Sequence, residues 1–225
     1  MKKLPSTFIF LFFIFVQLFG QEQITIKTGD NLYNVVSSSR YLFPQFEDAR
    51  VILRNETTEA KMNYNALTGQ MEFINPNGEV ASLLSNVQAV IIGNRFFKST
   101  PKGYAEVMVS SADGTELLVH RKYKATSTKR TSAYGMPDET SALGSFYSLH
   151  VNQGIAYSLN EEVTYAIANS FYIYVAGKYL SANKSGFTKA FGKQRPALDA
   201  YLREQPVDFT NPEDVSRLFV YCTEE

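Results

Sequence analysis

The sequence predicts a mainly β protein, an antiparallel meander arranged as a sandwich or a partly open barrel, finished by a short C-terminal helical segment. Three observations predict it. From Ile24 to about Tyr123, short apolar stretches are separated at close intervals by turn residues, the spacing of strands joined locally. Several of those stretches alternate apolar with polar residues, the period of a sheet with one wet face. Over the last forty residues the period changes from two to about 3.6, as it does in amphipathic helices.

In chain order, the first element is an export signal over residues 1–20. Lys2 and Lys3 form a positive start, and Thr7 to Phe19 is a thirteen-residue apolar run. That is the layout of a signal peptide. A spanning helix needs roughly 20 apolar residues, and Gln17 and the Gln21-Glu22-Gln23 run arrive too early for one. Gly20 offers a small residue for cleavage, which would leave a chain without a transmembrane segment.

A β domain follows over residues 21–180. Thr58, Ala60, Met62 and Tyr64 alternate with Glu59, Lys61 and Asn63, and Ala66-Leu67-Thr68-Gly69 then turns the chain. Met71 and Phe73 alternate with Gln70 and Glu72, and Asn75-Pro76-Asn77-Gly78 leads to a partner strand at Val80 to Leu84. Val87 to Ile92 is almost wholly apolar and β-branched, the composition of a strand buried on both faces. Tyr104 to Ser110 and Thr115 to Tyr123 flank Ala112-Asp113-Gly114, and the Asp-Gly step is a hairpin signal. In the second strand Leu117 and Val119 share one face, and Glu116, Leu118, His120 and Lys122 the other.

Residues 124–144 hold seven Ser or Thr with Gly135, Pro137 and Gly144, which reads as a long exposed loop or mobile arm. Strands are expected again at Phe146 to His150 and from Tyr165 to Leu180, with a turn or bulge at Gly177. Over residues 181–225, Phe187, Ala190 and Phe191 form one helical stripe ended by Gly192, and Pro196 opens a second helix carrying Leu198, Tyr201 and Leu202. Asn211-Pro212-Glu213-Asp214 starts a third, in which Val215, Leu218, Phe219 and Cys222 recur at i, i+3, i+4 and i+7. These helices are expected to pack on the sheet.

Composition narrows the function classes. Without Lys2 and Lys3, 20 basic residues face 22 acidic ones, a balance that points away from nucleic acid. Cys222 is the only cysteine, so no intramolecular disulfide forms and no cysteine near the signal offers a lipid attachment point. No metal site or cofactor is expected, because His120 and His150 are the only histidines and neither lies in a ligand spacing. His120, beside Glu116 and Lys122, is expected at the solvent face. Cys222 completes an apolar stripe and reads as a core thiol. No serine sits in a GxSxG elbow. The adjacent acid pairs Glu47-Asp48, Asp138-Glu139 and Glu161-Glu162 are poorly placed to cooperate and read as solvated loop acids.

Two groups remain as binding candidates. Tyr172, Tyr174 and Tyr179 face away from the apolar residues Phe171, Ile173 and Val175. Tyrosines so placed line binding surfaces, or else lie under a second layer such as the C-terminal helices. Arg121, Lys122, Lys124, Lys129 and Arg130 with Tyr123 form a basic cluster. It suits an anionic surface such as lipid headgroups or lipopolysaccharide phosphates, or is a solvated hairpin edge whose lysines block pairing.

Tyr41-Leu42-Phe43-Pro44, Asn63-Tyr64-Asn65, Met71-Glu72-Phe73-Ile74 and Arg95-Phe96 resemble a family of uncharacterised, exported, β-rich proteins of Gram-negative bacteria. Phe187-Thr188-Lys189-Ala190-Phe191 and Asp214-Val215-Ser216-Arg217-Leu218 are similar to it too. The resemblance implies export and carries no activity. The expected role is therefore a non-catalytic binding or assembly module of the cell envelope, periplasmic rather than surface-exposed, whose partner is an envelope protein or an envelope glycan or lipid. The alternatives are a small-ligand carrier with a barrel cavity and an exported hydrolase built from distant residues.

Overall fold

Twelve strands make one antiparallel sheet in the computed structural model, which describes residues 23–27, 30, 35–36, 39–83, 86–131, 137–140 and 161–224. In chain order they are β1 (Gln23–Ile26), β2 (Glu47–Leu53), β3 (Thr57–Asn65), β4 (Gln70–Ile74), β5 (Val80–Ser82), β6 (Val87–Ile92), β7 (Arg95–Thr100), β8 (Gly103–Ser110), β9 (Glu116–Thr131), β10 (Pro137–Thr140), β11 (Glu161–Val175) and β12 (Lys178–Ser181). Their order across the sheet is β1-β11-β9-β8-β7-β6-β2-β3-β4-β5, with β10 beside β9 and β12 beside β11. The expected meander is present, since β6 to β9 and β2 to β5 are runs of consecutive hairpins. Turn chemistry explains them. The Asn75 side chain, for example, accepts from the backbone N–H of Asn77 and Glu79, both at 2.9 Å, and closes the β4–β5 turn.

The sheet is not closed, yet it curls. The turn after β3 bends back so that the Gly69 carbonyl accepts from Tyr104 N–H at 2.8 Å and the Ala66 carbonyl from Tyr123 N–H at 3.0 Å. Of the two expected arrangements, one curled sheet is therefore the partly open barrel. Its concave face is filled by Ile26, Met62, Tyr64, Met71, Val90 and Phe97, each at 1% exposure or less, with Tyr123 and Tyr165. Side chains this inaccessible have no water-sized void against them, so this part of the curl is packed as a core.

A second core closes the end of the same face. Leu117 and Val119 of β9 and Phe171 and Ile173 of β11 lie under α1 (Lys184–Ala190), α2 (Arg195–Glu204) and α3 (Pro212–Glu224). The apolar stripes anticipated for these helices supply Phe187, Phe191, Leu198, Val215, Leu218, Phe219 and Cys222, all buried. Asn211 caps α3, its side chain accepting from Glu213 N–H at 2.8 Å, and Glu213 and Asp214 occupy the first turn. No described helix is long and apolar enough to cross a membrane.

Several local expectations change. The segment 124–144, read as a loop, is strand over Lys124 to Thr131 and Pro137 to Thr140. Threonine is a good strand former once a partner lies alongside, and β11 pairs with β9 along its length through a bulge at Thr164/Tyr165. The acid pairs placed in loops lie in strands, with Glu47 and Asp48 opening β2 and Glu161 and Glu162 opening β11. Asn63 and Glu72, read as part of a wet face, are buried, and so is Asn65. The chain from Tyr41 to Gln45 covers them. Asn63 Nδ2 donates to the carbonyls of Phe43 and Gln45, and Glu72 accepts from Asn65 Nδ2 and Tyr41 Oη, both at 2.7 Å. The export signal, the expected strand at Phe146 to His150 and residues 141–144 lie outside the described residues.

Candidate functional site

Alternation along β9 decides which side chains meet. Glu116, Leu118, His120, Lys122 and Lys124 point to the convex face, and Arg121 and Tyr123 to the concave one. β11 lies beside β9 with Tyr174 opposite Glu116, Tyr172 opposite Leu118 and Ser170 opposite His120, while β12 sets Tyr179 opposite Tyr174. The three tyrosines thus converge on one patch of the convex face, with the Tyr174 and Tyr179 rings 4.9 Å apart. The helices cover Phe171 and Ile173 on the other side of the sheet, so they leave this patch half-exposed.

Lysines frame the rings. Lys98 Nζ stands 4.5 Å over the Tyr174 ring and 2.6 Å from a Glu116 oxygen. Lys102 Nζ stands 4.9 Å over the Tyr172 ring and 3.3 Å from its hydroxyl. Lys122 Nζ donates to the Lys102 carbonyl at 2.9 Å, and Lys124 Nζ to Ser170 Oγ at 3.2 Å. An amine over a ring face gains from the ring quadrupole. Lys102 and Lys124 are exposed, whereas Lys98 is already paired with Glu116. The Tyr179 hydroxyl is held protonated to higher pH than usual, by burial first and then by Tyr174 and Glu116.

His120 lies beneath this patch rather than in solvent, at 6% exposure, with its ring edge-on to Tyr172 at 5.2 Å and Nε2 3.2 Å from Thr100 Oγ1. The expectation of a wet histidine fails because Leu118 and Tyr172 raise the apolar content of what looked like the polar face. Burial drives the imidazole pKa down to about 4, helped by the charges of Lys122 and Lys102, against a weaker contribution from the Tyr104 backbone. It is a neutral support for the Tyr172 ring.

Arg121 and Tyr123 do not join the tyrosines. Arg121 donates from Nη2 and Nε to Glu106 Oε2 at 2.8 and 3.1 Å, and from Nη1 to Asn169 Oδ1 at 3.1 Å. Arg95 grips the same carboxylate with two bonds of 2.7 Å and lies over Phe43 and Phe97. Burial works to raise the Glu106 carboxyl, but the two guanidiniums prevail and hold it below the usual carboxylate range. Tyr123 is buried, and its hydroxyl donates to the Ser39 carbonyl at 2.8 Å. Both residues tie the concave face together. Lys129 and Arg130 lie on β9 where only the backbone is described.

Cys222 packs in the second core, where burial pushes its thiol up to about 11, so the reactive thiolate is suppressed. His150 lies outside the described residues. Among the described residues no three of His, Cys, Asp and Glu gather to hold a metal ion. Sequence reasoning missed Lys98 and Lys102. The signal was present in β7, where Lys98 and Thr100 alternate with the buried Phe97, but its distance in sequence from the tyrosines concealed it.

The convex patch combines planar aromatic surface, amines and one carboxylate that Lys98 already neutralises. Such a set suits recognition of an anionic, partly apolar partner. No protein-family model, curated protein or solved structure matches the chain.

Proposed function

We propose that this protein is an exported, non-catalytic binding or assembly module of the cell envelope, periplasmic rather than surface-exposed, and that it presents the Tyr172–Tyr174–Tyr179 face to an envelope macromolecule. The observation that carries this reading is the asymmetry of the sheet. Its concave face is consumed by two cores, while the convex face keeps three tyrosines and Lys98, Lys122 and Lys124 half-exposed or exposed on strands, with Lys102 exposed in the turn between β7 and β8. The Lys2-Lys3 start and the apolar run of residues 7–19 support export. Among the described residues, the packing of the curl speaks against a ligand carrier, which needs an internal cavity.

Crosslinking in intact cells followed by recovery of the protein from the envelope fraction tests this reading. The wild type should bring down a specific partner, and Tyr172→Ser/Tyr179→Ser should lose it while folding normally. Recovery of the wild type as a free monomer, or an unchanged partner with the variant, would overturn it.

A further inference from the structure

We infer that the occupant of the convex face is a phosphate-bearing lipid surface, against which the tyrosines and the neighbouring apolar side chains rest while Lys102, Lys122 and Lys124 meet the headgroups. This deepens the proposed function and rests on it.

Two observations combine. The first is charge. Among the described residues, Lys98, Lys102, Lys122 and Lys124 stand around the tyrosines against one carboxylate, Glu116, already bound to Lys98. Lys124 is paired across the sheet with Ala166 and is exposed, and Lys122, paired with Ala168, is half-exposed with its amine on the Lys102 carbonyl. Burial does most to depress the basicity of His120, and the charges that add to it are those of Lys122 and Lys102. Farther along the face, Asp48, Lys61, Arg50 and Glu59 are paired across β2 and β3 in balanced signs, so the bias is confined to the tyrosine end.

The second is an apolar row beside the lysines. Ile91 of β6 is paired with Phe96 of β7, Val107 of β8 with Leu118 of β9, and Leu118 with Tyr172 of β11. Phe96 and Val107 lie one residue beyond the paired Phe97 and Glu106, so the row runs across five adjacent strands. Ile91, Phe96, Val107 and Tyr172 are half-buried, and only Leu118 is fully covered. An acidic protein partner would be met by the lysines alone. A lipid surface uses both features, because amines pair with headgroups while aromatic and aliphatic side chains settle at the acyl boundary.

The test is co-sedimentation of the full chain with vesicles of phosphatidylcholine alone and of phosphatidylcholine mixed with phosphatidylglycerol. Binding common to both reports apolar contacts, those of residues 7–19 among them, so the readout is the additional binding to the anionic vesicles. That increment should fall with salt and should drop by more than about tenfold in Lys102→Glu/Lys124→Glu, since each lysine near such a surface contributes roughly fivefold. A milder Lys102→Gln/Lys124→Gln pair should lose part of it with an unchanged melting temperature. Equal binding to both vesicles, or an increment that the lysine variants leave intact, would overturn the inference. If the increment is absent while crosslinking still captures an envelope protein through the tyrosines, the lipid surface is wrong and the binding face stands. If neither is found, both readings fall.

Discussion

His120 couples the patch to pH through stability. Its imidazole is neutral in the fold to about pH 4, whereas in the unfolded chain it takes up a proton below about pH 6.5. Between these values the unfolded state binds the extra proton, so stability is full above pH 6.5 and declines as pH falls toward 4, by up to about 3 kcal/mol. His120→Gln should remove that part of the decline. Urea unfolding of both proteins at pH 7 and pH 4.5 measures it, and an identical decline in the two would contradict the buried, neutral imidazole. Glu106 offers a second residue-level test. Glu106→Gln leaves Arg95 and Arg121 facing each other without their shared carboxylate and should cost about 3 kcal/mol in urea unfolding; a loss below about 1 kcal/mol would show that the triad is dispensable. At this scale the sequence was legible where alternation was local, as for Tyr172 and Tyr174. It misled where neighbours in the chain were grouped together, because Arg121 and Tyr123 adjoin Lys122 in sequence but lie on the opposite side of the sheet.

The elements carry their own strains and close contacts. Ala176, in the turn between β11 and β12, has φ +48° and is followed by Gly177 at +79°, the positive pair that a two-residue hairpin turn requires. An alanine there is strained, so Ala176→Gly should raise stability by about 0.5–1 kcal/mol, read as a higher urea midpoint; a lower midpoint would contradict the turn assignment. Gly186 in α1 approaches β12 so closely that a Cβ would lie 1.7 Å from the Ser181 carbonyl oxygen. Gly186→Ala should therefore separate helix from sheet and cost about 2 kcal/mol or more, also measurable by urea unfolding. The Asp-Gly hairpin, the capped α3 and the helical stripes could be read from the chain because their signals are short-range. The strand over Lys124 to Thr131 could not, since serine and threonine suit a loop or a strand equally until a partner strand is known. β11, which supplies that partner, begins thirty residues later.

At the scale of the whole molecule, one sheet serves two surfaces. The curl and the helices remove the concave face from solvent, and this frees the convex face to remain a rigid, patterned exterior. That the protein is mainly β was legible from period alone, but the curl was not. It depends on contacts such as Ala66 with Tyr123 and Gly69 with Tyr104, which join segments far apart in sequence and leave no local trace. The same non-local assembly brought Lys98 and Lys102 to the tyrosines. The central claim is that this convex face is where the protein meets the envelope, and site-specific photocrosslinking in cells tests it most directly. A photoreactive phenylalanine derivative in place of Tyr179 should yield a discrete lipid or protein adduct, whereas the same group in place of Val220 on α3 should yield none; adducts from Val220 alone, or from neither position, would contradict the account.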